Sequence, residues 1–377
     1  MRILVSGGGT GGHIYPALAV AQELQKHYNA EVLFLGDING LETKIVPAAG
    51  IPFAGITAGK LRRYLSAGTL SDLGRVPRGM KQAIGHVRRF KPDAAFTSGG
   101  YVSVPAGFAA RLVGVPLVMH QQDVPPNLAN KLLRPLATRI SVSFADSLRY
   151  FPADRTTLTG NPVREEVLAV ANANGATYRP QFGLDFSLPV LLVTGGSQGA
   201  RHLNQVIVEA LPRILPHCQV LHVSGEYTYE QTRASADRAL ASLGDLLRSR
   251  YALYAYLKDE MPMALAASDV VLCRSGAATL AELAVVGRPS ILVPLPPGFT
   301  GSPQQVNAEM FERAGAAQMI LDKRLNANVL LAALLSMLSD AGRRVTMTAA
   351  ARAFAHDDAT VKLAQSVAWL AWKRGAK

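Results

Sequence analysis

A glycine-rich segment followed by a histidine stands almost at the start of the chain. Residues 3–12 read ILVSGGGTGG, and His13 follows directly. The apolar residues predict a short buried strand, the glycines a tight turn, and the residues from Gly12 an amphipathic helix capped by Thr10. Such a turn at a helix N-terminus exposes backbone N–H groups that bind anions. A titratable imidazole at its mouth therefore predicts acid–base chemistry beside an anionic ligand.

Two further glycine turns repeat this arrangement. Residues 194–200, TGGSQGA, follow an apolar predicted strand and precede a predicted helix, and residues 98–103, SGGYVS, follow the predicted strand 94–97. One such loop also fits an ordinary strand-to-helix turn, but three in this order favour phosphate binding. The first loop is not assigned as a nicotinamide site, which pairs the GxGxxG spacing with an acidic residue.

Other residues of the second half suit a nucleotide diphosphate. Residues 273–279, CRSGAAT, end a predicted strand and begin a helix whose N-terminus can hold phosphate. Glu282 can bind two ribose hydroxyls or only stabilise the helix dipole, and Arg164 can neutralise a phosphate or stay solvated. Three carboxamides suit sugar hydroxyls, although alone they would fit a polar helix face. They are Gln304, Gln305 and Asn307.

Predicted strands alternate with predicted helices along both halves of the chain. They are expected at 2–5, 31–35, 53–56, 94–97, 117–120 and 139–142, and again at 189–194, 220–223, 252–256, 270–272 and 290–294. This alternation predicts two α/β domains with parallel sheets and right-handed crossovers. We expect the linker at 161–164 and helices from 325 onward.

The composition favours a two-domain protein that acts on an anionic partner. Its 377 residues are 49% hydrophobic and 18% charged, which favours sizeable cores over general disorder. We expect neither a signal peptide nor a membrane span. Cys218 and Cys273 are expected as buried thiols in a reducing cytoplasm. The net charge of +12 suits nucleic acid, an anionic membrane or a phosphorylated substrate.

Six motifs in order resemble the MurG family of bacterial cell-wall N-acetylglucosaminyltransferases over essentially the whole chain. They are GGGTGGH, GGYVS, NPVR, GGSQGAR, CRSGAATLAE and QQVNA. The resemblance implies the α/β GT-B fold, in which two Rossmann-like domains with parallel sheets face each other across a cleft. It implies an inverting transfer of GlcNAc from UDP-GlcNAc to the C4 hydroxyl of MurNAc in lipid I, giving lipid II. No DxD-like cluster stands beside the candidate donor loops, so we expect no obligatory metal, and we expect no cofactor.

The resemblance also implies where the enzyme works and with what partners. Residues 1–163, with the helix 357–377, are expected to bind the acceptor and face the membrane, and residues 164–356 to bind UDP-GlcNAc. The implied place is peripheral, on the cytoplasmic face of the cell membrane, in peptidoglycan synthesis that supports cell shape and division. Other cell-wall synthesis proteins are candidate partners.

Two other classes of protein remain alternatives. Another GT-B enzyme that uses a UDP-sugar, such as a UDP-GlcNAc epimerase or a glycolipid glycosyltransferase, would share the fold. A basic nucleic-acid-binding protein would share the positive net charge. In such a protein aromatic residues would be interleaved with the basic ones, and this chain shows no such interleaving. We therefore expect no nucleic-acid partner.

Site residues follow from the matching motif positions. His13 and Asp123 are candidate catalytic bases, and His13 is favoured because an imidazole titrates near neutral pH. Acceptor contacts are expected from His13, Gly99, Gly100 and Tyr101. Donor contacts are expected from Thr10, Gly11, Gly12, Asp123, Arg164, Ser197, Leu257, Ala277, Ala278, Thr279, Glu282, Gln304, Gln305 and Asn307. Leu257 is assigned to the uracil side and Glu282 to the ribose.

Two segments depart from the family's pattern. The family commonly has His-Glu-Gln-Asn where this chain has HQQD at residues 120–123. A role of that glutamate cannot be transferred to Gln121, whereas Asp123 supplies a carboxylate two positions later. The loop 296–303, PPGFTGSP, also differs from the family's usual polar segment.

A basic stretch at 60–91 predicts contact with a membrane. Nine lysines and arginines stand there against one acid, with apolar residues at helical spacing. An interfacial helix would insert its apolar side and lay its basic side on anionic headgroups. The alternative is a helix that packs on the core and exposes a solvated basic face. The residues assigned to the membrane are Arg75, Arg78, Lys81, Arg88 and Arg89.

Overall fold

The computed structural model describes residues 1–59, 67–196, 199–296 and 304–375, and for 67–74 it describes the backbone alone. The chain divides into two compact units, Met1–Arg164 with His356–Lys377, and Glu165–Ala355. The domain boundaries predicted from the sequence differ from this division by one residue at each junction.

The first unit is built on a parallel sheet of seven strands in the order β3-β2-β1-β4-β5-β6-β7. The strands are β1 (Arg2–Ser6), β2 (Glu31–Asp37), β3 (Phe53–Ile56), β4 (Ala94–Thr97), β5 (Leu117–Gln121), β6 (Arg139–Val142) and β7 (Thr156–Leu158). Helices between them are α1 (Gly11–Tyr28), α2 (Glu42–Ala48), α3 (Ala67–Phe90), α4 (Ser103–Leu112) and α5 (Leu128–Leu133). The central strands are almost wholly buried, because helices cover both faces of the sheet.

The second unit repeats this plan with six parallel strands in the order β10-β9-β8-β11-β12-β13. They are β8 (Val190–Thr194), β9 (Gln219–Val223), β10 (Tyr251–Tyr254), β11 (Val270–Cys273), β12 (Ser290–Leu292) and β13 (Ala317–Met319). The helices are α6 (Glu165–Val170), α7 (Arg201–Ile214), α8 (Tyr229–Leu240), α9 (Asp245–Arg248), α10 (Met261–Ala267), α11 (Ala277–Val286), α12 (Gln304–Arg313), α13 (Ala327–Leu338) and α14 (Ala341–Arg352).

The last helix, α15 (Ala359–Gly375), belongs to the first unit. It packs against α1, and its Leu363 and Val367 join the core that α1 and β1 share. Trp372 lies with its ring centroid 6.0 Å from that of Tyr28. Short 3₁₀ helices complete the chain at Ala145–Tyr150, Ala153–Arg155, Gly175–Phe182, Glu226–Thr228 and Asp322–Arg324.

Strand order places two crevices, one in each unit. In the first sheet β1 lies between β2 and β4, and in the second β8 lies between β9 and β11. Ligands of open α/β sheets bind at the carboxyl ends of strands where the order reverses in this way. The loops after β1 and β4, and those after β8 and β11, therefore border the candidate sites.

The structure confirms the alternating strands and corrects details of the sequence prediction. The edge strands β7 and β13 were not predicted. Helix α1 begins at Gly11 rather than Gly12, and within the described residues the Thr10 side chain caps none of its first amides. Cys218 and Cys273 are free and buried, as predicted. No helix in the described ranges has the length and apolar content needed to cross a bilayer.

Candidate functional site

His13 lies in the first turn of α1, with its ring against the loop that follows β4. Its Nδ1 is 3.2 Å from the carbonyl oxygen of Ser98, whose hydroxyl donates to the His13 carbonyl at 2.6 Å. Gly99 and Gly100 have φ values of +102° and +83°, and a Cβ at either would come within 3.1–3.2 Å of the imidazole. Glycine is therefore needed at both positions for the close approach that holds the ring.

The contact with Ser98 determines which nitrogen of His13 can act as a base. A carbonyl oxygen only accepts, so Nδ1 carries the hydrogen and the neutral ring keeps its lone pair on Nε2. Burial lowers the pKa of His13 below the ordinary 6.5, and the charge of Asp123 and the Ser98 bond partly oppose this shift. At neutral pH the imidazole is therefore unprotonated at Nε2, as a general base must be.

A buried carboxylate that sequence reasoning missed occupies part of the first glycine loop. Glu42 is fully buried and accepts from the amides of Gly9 at 3.4 Å and Asp37 at 3.0 Å. A Cβ on Gly8 would collide with this carboxylate. The Gly8–Gly9 part of the loop is thus filled by the Glu42 side chain, which leaves the helix N-terminus from Thr10 onward for a ligand. The position of Glu42 in the sequence gave no indication of this role.

Tyr101 lies on the other side of the same loop. Its ring covers Gly9, since a Cβ there would collide with it, and its hydroxyl donates to Oδ2 of Asp37 at 2.7 Å. The predicted acceptor residues His13, Gly99, Gly100 and Tyr101 are therefore brought together around the loops after β1 and β4.

The segment 120–123 contains three buried, hydrogen-bonded side chains and one acid whose charge acts on the candidate base. Gln121 is fully buried, donating from Nε2 to the Asp123 carbonyl at 2.6 Å and accepting from Asn130 at 2.8 Å. It holds the loop after β5 and has no free polar atom for catalysis. Asp123 is 7% exposed, and its charge acts on His13.

His120 connects β5 to β6 and to Asn161, the first residue of the predicted linker. Its Nδ1 lies 2.9 Å from the Ser141 hydroxyl and its Nε2 lies 3.0 Å from Oδ1 of Asn161. Burial lowers the pKa of His120 to about 4, so the ring is neutral at physiological pH. The histidine therefore acts as a hydrogen-bonding link and not as a second base.

The predicted donor site of the second unit includes the N-terminus of α11. Gly276 is the N-cap residue and has no side chain with which to satisfy the first amides, those of Ala277, Ala278 and Thr279. These amides can hold a phosphate. Glu282 is half-buried in the second turn, so its position is not that of an ordinary first-turn acid.

The three predicted sugar-binding carboxamides differ in what they contact. Oε1 of Gln304 accepts from the amides of Ser275 at 3.3 Å and Leu295 at 3.2 Å, which fixes the loop after β11. Asn307 is fully buried and donates to the Ser275 carbonyl at 3.1 Å. Gln305 donates to Glu309 at 2.8 Å. Gln304 and Asn307 therefore shape the donor loop, and their contact with a sugar stays a prediction.

A set of contacts around Asp322 was also missed by sequence reasoning. Arg274 lies 2.6 Å from Oδ1 of Asp322, and His202, in the first turn of α7, lies 3.0 Å from its Oδ2. Asp322 thus connects the loop after β11 to the helix that follows the second glycine loop. No sequence pattern predicts a pairing across such separations.

The remaining predicted residues are placed individually. Arg164 belongs to the first unit, with its guanidinium 5.5 Å from the centre of the Tyr15 ring. Leu257 is buried just after β10. Ser197 lies outside the described residues, so its phosphate contact stays a prediction.

Comparison with known proteins assigns the chain to a family. Residues 3–142 match the glycosyltransferase family 28 N-terminal domain, and residues 190–363 match the glycosyltransferase family 28 C-terminal domain. The chain belongs to glycosyltransferase family 28. The predicted enzyme class and the predicted fold of two parallel-sheet Rossmann-like domains are thereby confirmed.

Relatives match over nearly the full length of the family 28 chain. A protein of Desulfitobacterium hafniense, named UDP-N-acetylglucosamine--N-acetylmuramyl-(pentapeptide) pyrophosphoryl-undecaprenol N-acetylglucosamine transferase, is 38% identical over 99% of this chain and 100% of its own. A protein of the same name from Desulforamulus reducens is 40% identical over 90% of this chain and 91% of its own. The crystal structure of MurG from Acinetobacter baumannii has a TM-score of 0.74 at 26% identity, covering 98% and 99%. The predicted MurG resemblance is therefore confirmed.

Proposed function

We propose that this chain transfers N-acetylglucosamine from UDP-N-acetylglucosamine to the muramyl-pentapeptide of lipid I, an undecaprenyl pyrophosphate, giving lipid II. The observation that carries the proposal is the match along nearly the whole chain to relatives named for this transfer. We further propose that the C4 hydroxyl is the nucleophile, that the configuration of the anomeric carbon is inverted, and that the reaction belongs to the synthesis of peptidoglycan.

His13 acts as the general base in this proposal. Attack by the acceptor hydroxyl requires loss of its proton, and Nε2 of His13 carries the lone pair that can accept it. The negative charge of Asp123 raises the pKa of His13 and so stabilises the imidazolium that forms. Asp123 thus supports the base in place of the glutamate that the family commonly has two positions earlier.

The second unit holds the donor and stabilises the departing UDP. Negative charge grows on the β-phosphate as the glycosidic bond breaks, and the amides at the start of α11 are fixed before the reaction begins. Gln304 and Asn307 keep the loop after β11 in place by binding its backbone. We propose that Glu282 binds the ribose and Leu257 lies on the uracil side, and that Arg164 is a phosphate ligand, as the NPVR motif implies.

Replacing Glu282 with alanine should weaken binding of UDP-GlcNAc. Hydrogen bonds to a charged group contribute about 1.5–3 kcal/mol, which corresponds to a roughly 10- to 100-fold rise in Kd. Isothermal titration with UDP measures the change. Glu230→Ala removes an exposed acid of the same unit and serves as the control. Equal UDP affinity of the Glu282 and Glu230 variants would remove the ribose assignment.

Simple assays separate this transfer from the alternative activities. With UDP-GlcNAc alone an epimerase produces UDP-ManNAc, whereas a transferase leaves the sugar configuration unchanged until an acceptor is added. A galactosyltransferase would require UDP-galactose as donor. A nucleic-acid binder would be retained on DNA or heparin but would gain no thermal stability from UDP. We expect stabilisation by UDP and no epimerised product.

We also propose that the first unit docks on an anionic membrane as a peripheral protein of the cytoplasmic face. Within the described side chains of α3, Ala83 and Val87 lie in the protein core, so this apolar side is not available for insertion as the sequence had suggested. The basic residues of that helix are exposed; they are Arg75, Arg78, Lys81, Arg88 and Arg89. Residues 60–66, part of the predicted stretch, lie outside the described residues.

Neighbouring helices supply exposed apolar side chains that sequence analysis did not select. Helix α4 packs against both α3 and α5. The exposed side chains are Phe108, Leu112, Leu128 and Leu132, of which Leu112 is 70% exposed. Basic residues beside an apolar patch suit a surface with anionic headgroups, at about 1 kcal/mol per basic residue.

Reversing three of these charges should release the protein from anionic vesicles. We expect the variant with Arg75→Glu, Arg78→Glu and Lys81→Glu to lose most co-sedimentation with vesicles that contain phosphatidylglycerol, and high salt to weaken wild-type binding. Arg313→Glu, Lys323→Glu and Arg324→Glu in the second unit make the same charge change as a control. Wild-type binding to neutral vesicles at equal strength, or equal loss in both variants, would contradict membrane docking by this face.

A further inference from the structure

One carbonyl group receives hydrogen bonds from both His13 and a buried glutamine. The oxygen of Ser98 accepts from His13 Nδ1 at 3.2 Å and from Nε2 of Gln122 at 2.9 Å. Gln122 follows β5 directly and is 3% exposed. Its buried amide therefore donates to the same oxygen atom that determines the tautomer of His13.

The other hydrogen bonds of this loop do not involve the Ser98 carbonyl, so they do not fix its orientation. The Ser98 amide donates to the Ser6 carbonyl at 3.0 Å, and the Ser103 hydroxyl donates to the Gly99 carbonyl at 2.7 Å. These bonds fix the chain on either side of the peptide that joins Ser98 to Gly99. Among the described residues, the groups that donate to the oxygen of this peptide are the His13 ring and the amide of Gln122.

The alternative orientation of this peptide would reverse the chemistry of His13. Gly99 lacks a Cβ and can adopt a φ of either sign, so its backbone permits both orientations of the peptide plane. The rotated peptide would present its N–H, a donor, to His13 in place of the carbonyl. Nδ1 would then accept, and the hydrogen of the neutral ring would move to Nε2, where no proton could be taken up.

We propose that Gln122 is a positioning residue that keeps His13 in the tautomer with a free Nε2. This inference deepens the proposed function, since its kinetic consequence rests on His13 as the base. The charged and titratable groups that act on the ring, Asp123 and His120, stand on or just after the same strand β5 and are left unchanged by the test.

The tautomer can be read directly in the protein without substrate. Protein labelled with ¹⁵N-histidine gives distinct ring-nitrogen shifts for the two tautomers, and His13→Gln identifies the His13 signals. We expect hydrogen on Nδ1 in the wild type and a raised Nε2–H population in Gln122→Met, which keeps the side-chain length but cannot donate. Gln219→Met alters a buried glutamine of the second unit whose amide also donates to backbone carbonyls, and it is the matched control, with the wild-type tautomer. The same His13 tautomer in Gln122→Met and the control would overturn the proposal.

Kinetics provide the second readout. A displaced or wrongly protonated catalytic group can cost about 10²-fold, so we expect kcat of Gln122→Met to fall about 10-fold or more with little change in the KM for UDP-GlcNAc. A changed tautomer with unchanged kcat would contradict the positioning role. If the wild type transfers no sugar to lipid I, the proposed function fails, and the spectra still decide whether Gln122 sets the tautomer.

Discussion

Replacing His13 with alanine is expected to lower turnover by about 10²–10⁴-fold while UDP binding stays nearly unchanged. A positioned general base contributes an acceleration of this size. The imidazole lies in the first unit, on the loops after β1 and β4, whereas the proposed nucleotide contacts of α11 lie in the second. Steady-state rates with saturating donor, together with titration of UDP, measure the two effects separately.

Asp123→Asn is the companion variant, because it restores the amide that the family commonly has at this position. We expect a smaller loss of turnover than in His13→Ala, since the base remains and only the charge that stabilises its protonated form is removed. If Asp123→Asn abolishes activity while His13→Ala keeps most of it, Asp123 is the base and the assignment is reversed.

Acid should destabilise both units because each contains a buried neutral histidine. Burial lowers the pKa of His120 to about 4 and that of His222 to about 3, against 6.5 in an unfolded chain. The unfolded state then binds more protons as pH falls below 6.5. The free energy of unfolding of each unit should therefore drop by about 1.4 kcal/mol per pH unit from this histidine, down to about pH 4.5.

Urea unfolding at several pH values tests this expectation against a matched variant. His222→Gln should flatten the pH dependence of the second unit, whatever its stability at pH 7. His217→Gln changes an exposed histidine of the same unit and should leave the wild-type slope in place. Identical slopes for the His222 variant and the wild type between pH 6.5 and 4.5 would contradict the assignment.

Local patterns predicted the elements that depend on local chemistry. Apolar runs such as residues 190–193 could be recognised as buried strands, and glycines before a helix could be recognised as strand-to-helix loops. The doubled strand–loop–helix order then predicted two parallel sheets, which the structure has. The edge strands β7 and β13 were missed because each has three residues and mixed polar and apolar side chains.

Contacts between distant residues could not be predicted from those patterns. Glu42 reaches back to Gly9, and Gln122 reaches Ser98, only because strand order brings loops after β1, β2, β4 and β5 together. The sequence could not show what the apolar face of α3 contacts, because apolar residues at helical spacing fit a membrane surface and a protein core equally. In the structure Val87 of this face packs in the core with residues of the β-sheet. The bond from Asn307 to the Ser275 carbonyl could likewise not be predicted from the sequence.

Transfer of labelled sugar to a lipid acceptor tests the central claim most directly. The purified chain is incubated with UDP-[¹⁴C]GlcNAc and a lipid I analogue, and the lipid products are separated from the nucleotide sugar. The account predicts a labelled disaccharide lipid that forms only when both substrates are present and that forms about 10²-fold or more slowly with His13→Ala. Label that stays entirely in the nucleotide fraction, with folded wild-type protein that binds UDP, would contradict it.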